Sequence, residues 1–195
     1  MKITILGLSI TSSWGNGHAT TYRALVRALA ARGHDVLFLE RNAEWYADNR
    51  DLPSPPYCRT RIYDTVDDLS TMYADEIATS DLVIVGSYVP EGIAIGDLVF
   101  EHTQGVTAFY DIATPVALPR IDSGIEYLTP RQIPQYDLYL SFTGGPILDL
   151  LRERYQARHP RPLYCSFDPE QYRPDPAVDR VFDLGYPGTY SDDRQ

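Results

Sequence analysis

The chain lacks most of the features that announce a function outright. Its 195 residues hold two cysteines, Cys58 and Cys165, too far apart for metal-ligand spacing and too few for a disulfide framework. No apolar run approaches the ~20 residues of a membrane-spanning helix. Met1-Lys2 enters an apolar strand directly, with no signal-peptide pattern, so the expected location is cytoplasmic. Positive charge is the scarcer sign: 17 Lys and Arg stand against 27 Asp and Glu, a formal net charge of −10. That balance argues against a phosphate-backbone partner, and nucleic acid is not an expected ligand. Two nucleotide fingerprints are also missing. No Gly-Lys-Ser/Thr follows the first glycine turn, and the third glycine of Gly-x-Gly-x-x-Gly would fall on Thr20.

What is present is a pattern of apolar strands alternating with helix-periodic segments. The first strand, residues 2–8, runs into a loop carrying Trp14, Gly15, Asn16 and Gly17, and a helix then opens with His18 in its first turn. Such a junction aims backbone N–H groups, at the positive end of the helix dipole, toward an anionic or hydroxyl-bearing ligand. Tyr22, Leu25, Val26 and Leu29 form one stripe of this helix, with Arg23 and Arg27 turned outward. Gly33 marks its C-terminus. Further strands are expected at 35–40, 60–63, 82–86, 106–110, 137–141 and 161–165. Helices are expected at 65–77, opened by the capping box Thr65-Val-Asp-Asp68, at 91–102, and after Gly144-Gly145-Pro146. The segments 45–56 and 111–135, both marked by proline, read as loops. The fold class this predicts is α/β: a Rossmann-like, doubly wound, mostly parallel sheet with helices on both faces. Residues 168–180, with three prolines, have the composition of a linker, and Val181-Phe-Asp-Leu-Gly185 reads as a fresh strand entering a second glycine turn.

The residues from Ile5 through the loop to His18, the run Ala30-Ala-Arg-Gly-His-Asp-Val-Leu-Phe-Leu-Glu40 and Phe109-Tyr-Asp-Ile-Ala-Thr-Pro115 resemble bacterial CgeB-type, spore-maturation-like glycosyltransferases. Tyr139-Leu-Ser-Phe-Thr-Gly-Gly145, Leu163-Tyr-Cys-Ser166 and Asp183 through Asp193 extend the likeness over essentially the whole chain. The resemblance implies a GT-B enzyme: two facing Rossmann-like domains, with the acceptor held on the amino-terminal one and a nucleotide-sugar donor on the other. On that basis residues 1–167 are the acceptor-side domain, 168–180 the inter-domain linker, and 181–195 the first strand and glycine turn of a truncated donor-binding domain. Gly188, Thr189 and Tyr190 are then the donor contacts. No cofactor beyond the nucleotide-sugar co-substrate is implied, and no metal. The fragment alone is expected to be inactive, and an uncovered inter-domain face favours its self-association. Family members carry an acidic residue where this chain has Ala113, and an aliphatic one at Pro187.

Each candidate site residue has a functional and a purely structural reading. His18 has the pKa range and the strand-end position of a general base for an acceptor hydroxyl, which an inverting enzyme needs, or it only satisfies helix-start groups. Asp111, just past a buried strand, either orients acceptor hydroxyls or forms a turn; one carboxylate is too few for a metal. Trp14 offers a flat face for a sugar ring or packs under its loop. Gly15, Asn16 and Gly17 shape that loop. Ser87 and Tyr88 face the expected cleft or cap the next helix, and Gly144 and Gly145 aim N–H groups at a ligand or simply turn. The acceptor expected is a small molecule or glycan. The competing function is a non-catalytic α/β ligand-binding or regulatory domain, since the fold alone does not specify chemistry. A nucleotide-sugar epimerase or dehydrogenase is disfavoured by the missing dinucleotide fingerprint.

Overall fold

The computed structural model describes residues 1–185. Seven strands form one sheet: β1 (Lys2–Gly7), β2 (Asp35–Arg41), β3 (Arg59–Tyr63), β4 (Leu82–Gly86), β5 (Val106–Asp111), β6 (Leu138–Ser141) and β7 (Pro160–Pro162). Their order is β3-β2-β1-β4-β5-β6-β7, and every pairing is parallel. The helices are α1 (His18–Ala31), α2 (Glu44–Ala47), α3 (Val66–Met72), α4 (Ala74–Ala78), α5 (Gly92–His102), α6 (Thr114–Ile121) and α7 (Pro146–Glu153), with a 3₁₀ turn at Ile133–Gln135. The doubly wound architecture expected from the strand–helix alternation is the one observed.

The central strands are apolar on both faces because both are covered, as parallel sheets require. Alternate residues sort to opposite sides. Leu6, Leu37, Leu39, Val83, Val85, Phe109 and Tyr139 join Ile77, Ile95, Val99, Leu118 and Leu151 in one core. Ile3, Ile5, Val36, Phe38, Ile84, Ala108 and Tyr110 join Tyr22 and Val26 of α1 in the other. The coverage is uneven: α1 stands on one face, while side chains of α3 to α7 pack on the other. Burying each large aliphatic side chain contributes roughly 1.5–3 kcal/mol, so these two layers dominate stability. Two glycines make room for aromatic rings packed on the sheet, Tyr22 of α1 and Phe38 of β2. A Cβ at Gly86 would overlap the Tyr22 hydroxyl, and one at Gly7 would overlap the Phe38 ring.

Several local expectations are met, and several are corrected. Gly33 ends α1 at φ 81, its N–H bonded to the Ala30 carbonyl at 2.9 Å. The capping box at Thr65 forms in both directions. The helix it opens does not run to Ile77, however. It breaks at Tyr73 (φ −128, ψ 5), and α4 restarts at Ala74. The segments read as loops each hold a helix, α2 in the first and α6 in the second. Pro115 stands in the first turn of α6, where its missing N–H costs nothing, and Pro119 lies inside a helix only eight residues long. The last strand is Pro160–Pro162 rather than 161–165. Arg23 does not point to solvent but is clamped, as described below. Asp168, the first residue of the 168–180 segment, is buried and pairs with Arg27 of α1. Val181–Gly185 pairs with no strand among the described residues, and Val181, Phe182 and Leu184 are exposed. Gly188, Thr189 and Tyr190 lie outside the described residues, as does Pro187.

Candidate functional site

Strand order reverses direction between β1 and β4: from β1 the chain builds outward through β2 and β3, then returns to place β4 on the other side. Loops leaving the carboxyl ends of two such strands diverge and open a crevice, the general ligand site of open α/β sheets. Here it is a cavity of about 650 Å³ lined by Gly15, Gly17 and His18 after β1, Tyr46 after β2, Tyr88 after β4 and Ala113 after β5. Leu8, Asn16, Thr21, Ile112, Val116 and Cys165 complete it.

The loop between β1 and α1 is held from below by two carboxylates. Glu40, at the end of β2, is fully buried. Its Oε2 accepts from the N–H groups of Ile10 (2.7 Å) and Thr11 (3.0 Å), and its Oε1 from the Thr11 hydroxyl (2.6 Å). Asp51 accepts from the Ser13 N–H (2.7 Å) and hydroxyl (3.0 Å), and takes a two-pronged contact from Arg23 at 2.8 and 2.9 Å. The Arg23 guanidinium holds the Asp51 carboxyl well below the usual carboxylate range. Arg23 Nε also donates to the Ile10 carbonyl at 2.9 Å. Charge-assisted bonds of this kind are about twice as strong as neutral ones, so the loop is pre-shaped rather than floppy. Asn16 finishes it: its Nδ2 donates to the Ser12 carbonyl (3.1 Å) and its Oδ1 accepts the Ala19 N–H (3.0 Å). One of the helix-start N–H groups expected to face a ligand is therefore taken by the loop itself.

His18 stands in the first turn of α1, its ring edge-on to Tyr88 at 5.5 Å and 89°. Burial pushes its pKa down to about 4, below the near-neutral range expected of it from the sequence, so the imidazole is neutral at ordinary pH and a weaker base than a free one. Its Nδ1 is buried and has no hydrogen-bond partner among the described residues. Buried polar atoms in native proteins are nearly always satisfied, so this nitrogen stands out in a residue that lines the cavity, though the hydroxyls of Tyr22, Tyr63 and Tyr136 share its condition in the core. Tyr88 is held at φ 62, and Glu91 in the same loop at φ 56. For a bulky residue this left-handed conformation is strained, a cost of order 1–3 kcal/mol that clusters at functional loops.

The other sequence candidates divide. Asp111 is wholly buried and does not reach the cavity. Its Oδ2 accepts from the Tyr139 hydroxyl at 2.7 Å and its Oδ1 from the Ala113 N–H at 2.9 Å, while burial raises its pKa. Ser87 is also buried; its hydroxyl accepts the Ile112 N–H at 3.0 Å, which ties the β4 and β5 loops together rather than capping α5. Trp14 is 57% exposed but lines a separate depression with Ser13 and Asp48–Asp51. Gly144 and Gly145 stay away from the cavity. Gly145 takes φ 64, ψ −140 where α7 begins, and a Cβ at Gly144 would come within 2.6 Å of the Tyr164 hydroxyl. Sequence reasoning missed Tyr46, Cys165 and the Glu40–Asp51–Arg23 clamp. The Trp45-Tyr46 pair, just past the carboxyl end of a strand beside the switch point, was the available signal for the first of these.

The sequence matches no protein-family model and no curated protein. The fold does have solved counterparts. An alpha-glucosyltransferase in complex with UDP and a 13-mer DNA containing an HMU base superposes with a TM-score of 0.56 at 14% identity, over 89% of this chain and 46% of that one. An alpha-glucosyltransferase bound to UDP and a 13-mer DNA with a central A:G mismatch matches at a TM-score of 0.45, also at 14% identity, over 73% of this chain and 37% of that one. The chain thus spans less than half of the glucosyltransferase it matches better. The likeness establishes the architecture: an α/β Rossmann-like domain with a glycosyltransferase-like fold.

Proposed function

We propose that this chain is the acceptor-side domain of a GT-B glycosyltransferase of the CgeB-like kind, with the nucleotide-sugar donor held by a second domain. The observation that supports it most is His18: a neutral, half-buried imidazole with a buried, unpartnered Nδ1, in a residue lining the switch-point cavity. A hydroxyl entering that cavity meets a group able to accept its proton. As the hydroxyl oxygen bonds to the anomeric carbon, the bond from that carbon to the nucleotide diphosphate breaks, the diphosphate leaves with the electron pair, and the proton passes to His18. Glu40, Asp51 and Arg23 hold the loop that carries the imidazole, and Asp111 and Ser87 fix the β5 and β4 loops opposite. Asp111 acts through Tyr139 and the Ala113 backbone and touches no substrate.

The cavity walls also indicate what the acceptor is. No lysine or arginine lines the His18 cavity among the described residues. A neutral polyhydroxyl fits such a wall better than a polyanion does. The DNA of the glucosyltransferase complex is therefore not carried over to this chain, which agrees with its net charge of −10. The test is sugar transfer by the whole protein, assayed with UDP-, GDP- and dTDP-sugars against neutral glycan acceptors. Transfer that depends on His18 supports the reading. Tight acceptor binding without any turnover would leave a ligand-binding domain in its place.

A further inference from the structure

A second cavity of about 390 Å³ adjoins the first, on the side away from α1. The two share Tyr88 and Val116. Each wall runs on from one to the other. On α2, Tyr46 lines the His18 cavity and its neighbour Trp45 lines the second; on the α6 side, Ala113 and Ala117 divide in the same way. Both volumes fall within the roughly 300–1,000 Å³ of ordinary ligand pockets, so the pair forms one trough with room for linked rings. Its far half is built from aromatic faces and charged tips. Trp45 is 54% exposed on its short helix, a large apolar face turned to water, and Tyr88 packs against Tyr127 at 4.8 Å. Arg120 and Glu126 line the same cavity, and neither forms an ion pair among the described residues. A donor and an acceptor of opposite charge, both free, suit hydroxyl groups and favour neither an anion nor a cation. The strained backbone of Tyr88 keeps its ring at the junction, where its edge also meets His18.

The geometry points to an extended acceptor site: a neutral oligosaccharide whose reacting sugar lies beside His18 and whose next sugar stacks on Trp45, between Arg120 and Glu126. This rests on the acceptor reading above and deepens it, from any hydroxyl compound to a glycan of at least two rings. Trp45, Arg120 and Glu126 are then specificity residues that touch the second ring and not the reacting atoms.

The experiment is binding of maltose, cellobiose, lactose, glucose, galactose and p-nitrophenol to the 195-residue chain, followed by saturation-transfer NMR and calorimetry, with Trp45→Ala and Arg120→Ala alongside. At least one disaccharide is expected to bind about tenfold tighter than its monosaccharides, with Trp45→Ala abolishing that advantage and leaving monosaccharide binding unchanged. Trp45 is exposed, so its replacement leaves the core intact, and unchanged melting would verify this. Equal affinities for one and two rings, no binding by any sugar, tighter capture of p-nitrophenol, or a disaccharide advantage that survives Trp45→Ala each overturn the proposal. Failure of the transferase reading shows separately. A Trp45-dependent preference in a whole protein that transfers no sugar leaves the subsite standing and removes the enzyme. Transfer that is indifferent to Trp45 does the reverse.

Discussion

His18 carries two predictions that follow from one cause. Burial favours its neutral form, so the native-state pKa is about 4 against 6.5 for the free side chain. Between those values the unfolded chain binds a proton that the native chain refuses, and stability must rise with pH. The contribution is complete above pH 6.5 and is lost as pH falls through 4, a difference of about 3 kcal/mol at most. Between pH 6.5 and pH 4 the stability of the parent chain should therefore fall relative to that of His18→Gln, with a constant gap outside that window. Parallel curves would remove the desolvation argument. The kinetic consequence concerns the whole protein. A rate that needs neutral His18 stays level from pH 7 toward pH 5 and falls only near pH 4, and His18→Ala lowers kcat by roughly 10²–10⁴-fold while donor affinity holds. An acidic limb near pH 6.5 argues against the lowered pKa, and near-normal turnover in the variant argues that the ring does no proton transfer. His18 was legible because a histidine in the first helical turn after β1 has few places to go. The placement of Asp111 was not legible. Whether a strand-end carboxylate faces a cleft or the core depends on its partner, and Tyr139 stands 28 residues further on.

At the scale of elements, the loop from β1 to α1 owes its shape to a buried carboxylate on the neighbouring strand. Glu40→Gln keeps the size but removes the negative charge and replaces one accepting oxygen with a donor, which then sits against either the Thr11 hydroxyl or the Ile10 and Thr11 N–H groups. The expected cost is about 2 kcal/mol, or a drop in Tm of roughly 4–8 °C for a chain of this size. Catalysis should weaken too, since the same loop carries the approach to His18. A Tm within a degree of the parent would mean that the loop is held chiefly by Asp51 and Arg23. The sequence pattern showed the elements that depend on local chemistry: β1, β2, β4 and β5 as apolar runs, α1 by its stripe and Gly33, α3 by its capping box. It misled where a local signal was outvoted by packing. The prolines of α6 read as breakers, yet Leu118 and Ile121 of that helix pack into the core. Arg23 read as a solvated residue of α1, but its partner Asp51 lies 28 residues away in the β2–β3 connection, a separation no periodicity reveals.

The whole molecule follows from one topological fact: seven parallel strands reverse order at β1 and β4, and the cleft opens there. Strand–helix alternation carries that information, which is why the fold class could be read without any coordinates. On the function proposed above, the question at this scale is which ligand belongs to which half. What the described residues present toward the cleft suits an uncharged acceptor: a neutral imidazole, tyrosine and tryptophan faces, no lysine or arginine beside His18, and opposite charges on Arg120 and Glu126 further along. A nucleotide diphosphate needs the opposite, a run of free N–H groups or cationic side chains around two phosphates. At the helix start nearest the cleft, Asn16 already occupies the Ala19 N–H. The 195-residue chain by itself should therefore fold, bind neutral sugars weakly, and show no micromolar affinity for UDP-, GDP- or dTDP-sugars in calorimetry, nor any turnover. The whole protein should bind one of those donors and transfer its sugar. Should the chain alone bind a nucleotide-sugar at micromolar concentration, the division of labour proposed here is wrong, and the cleft at His18 is a donor site.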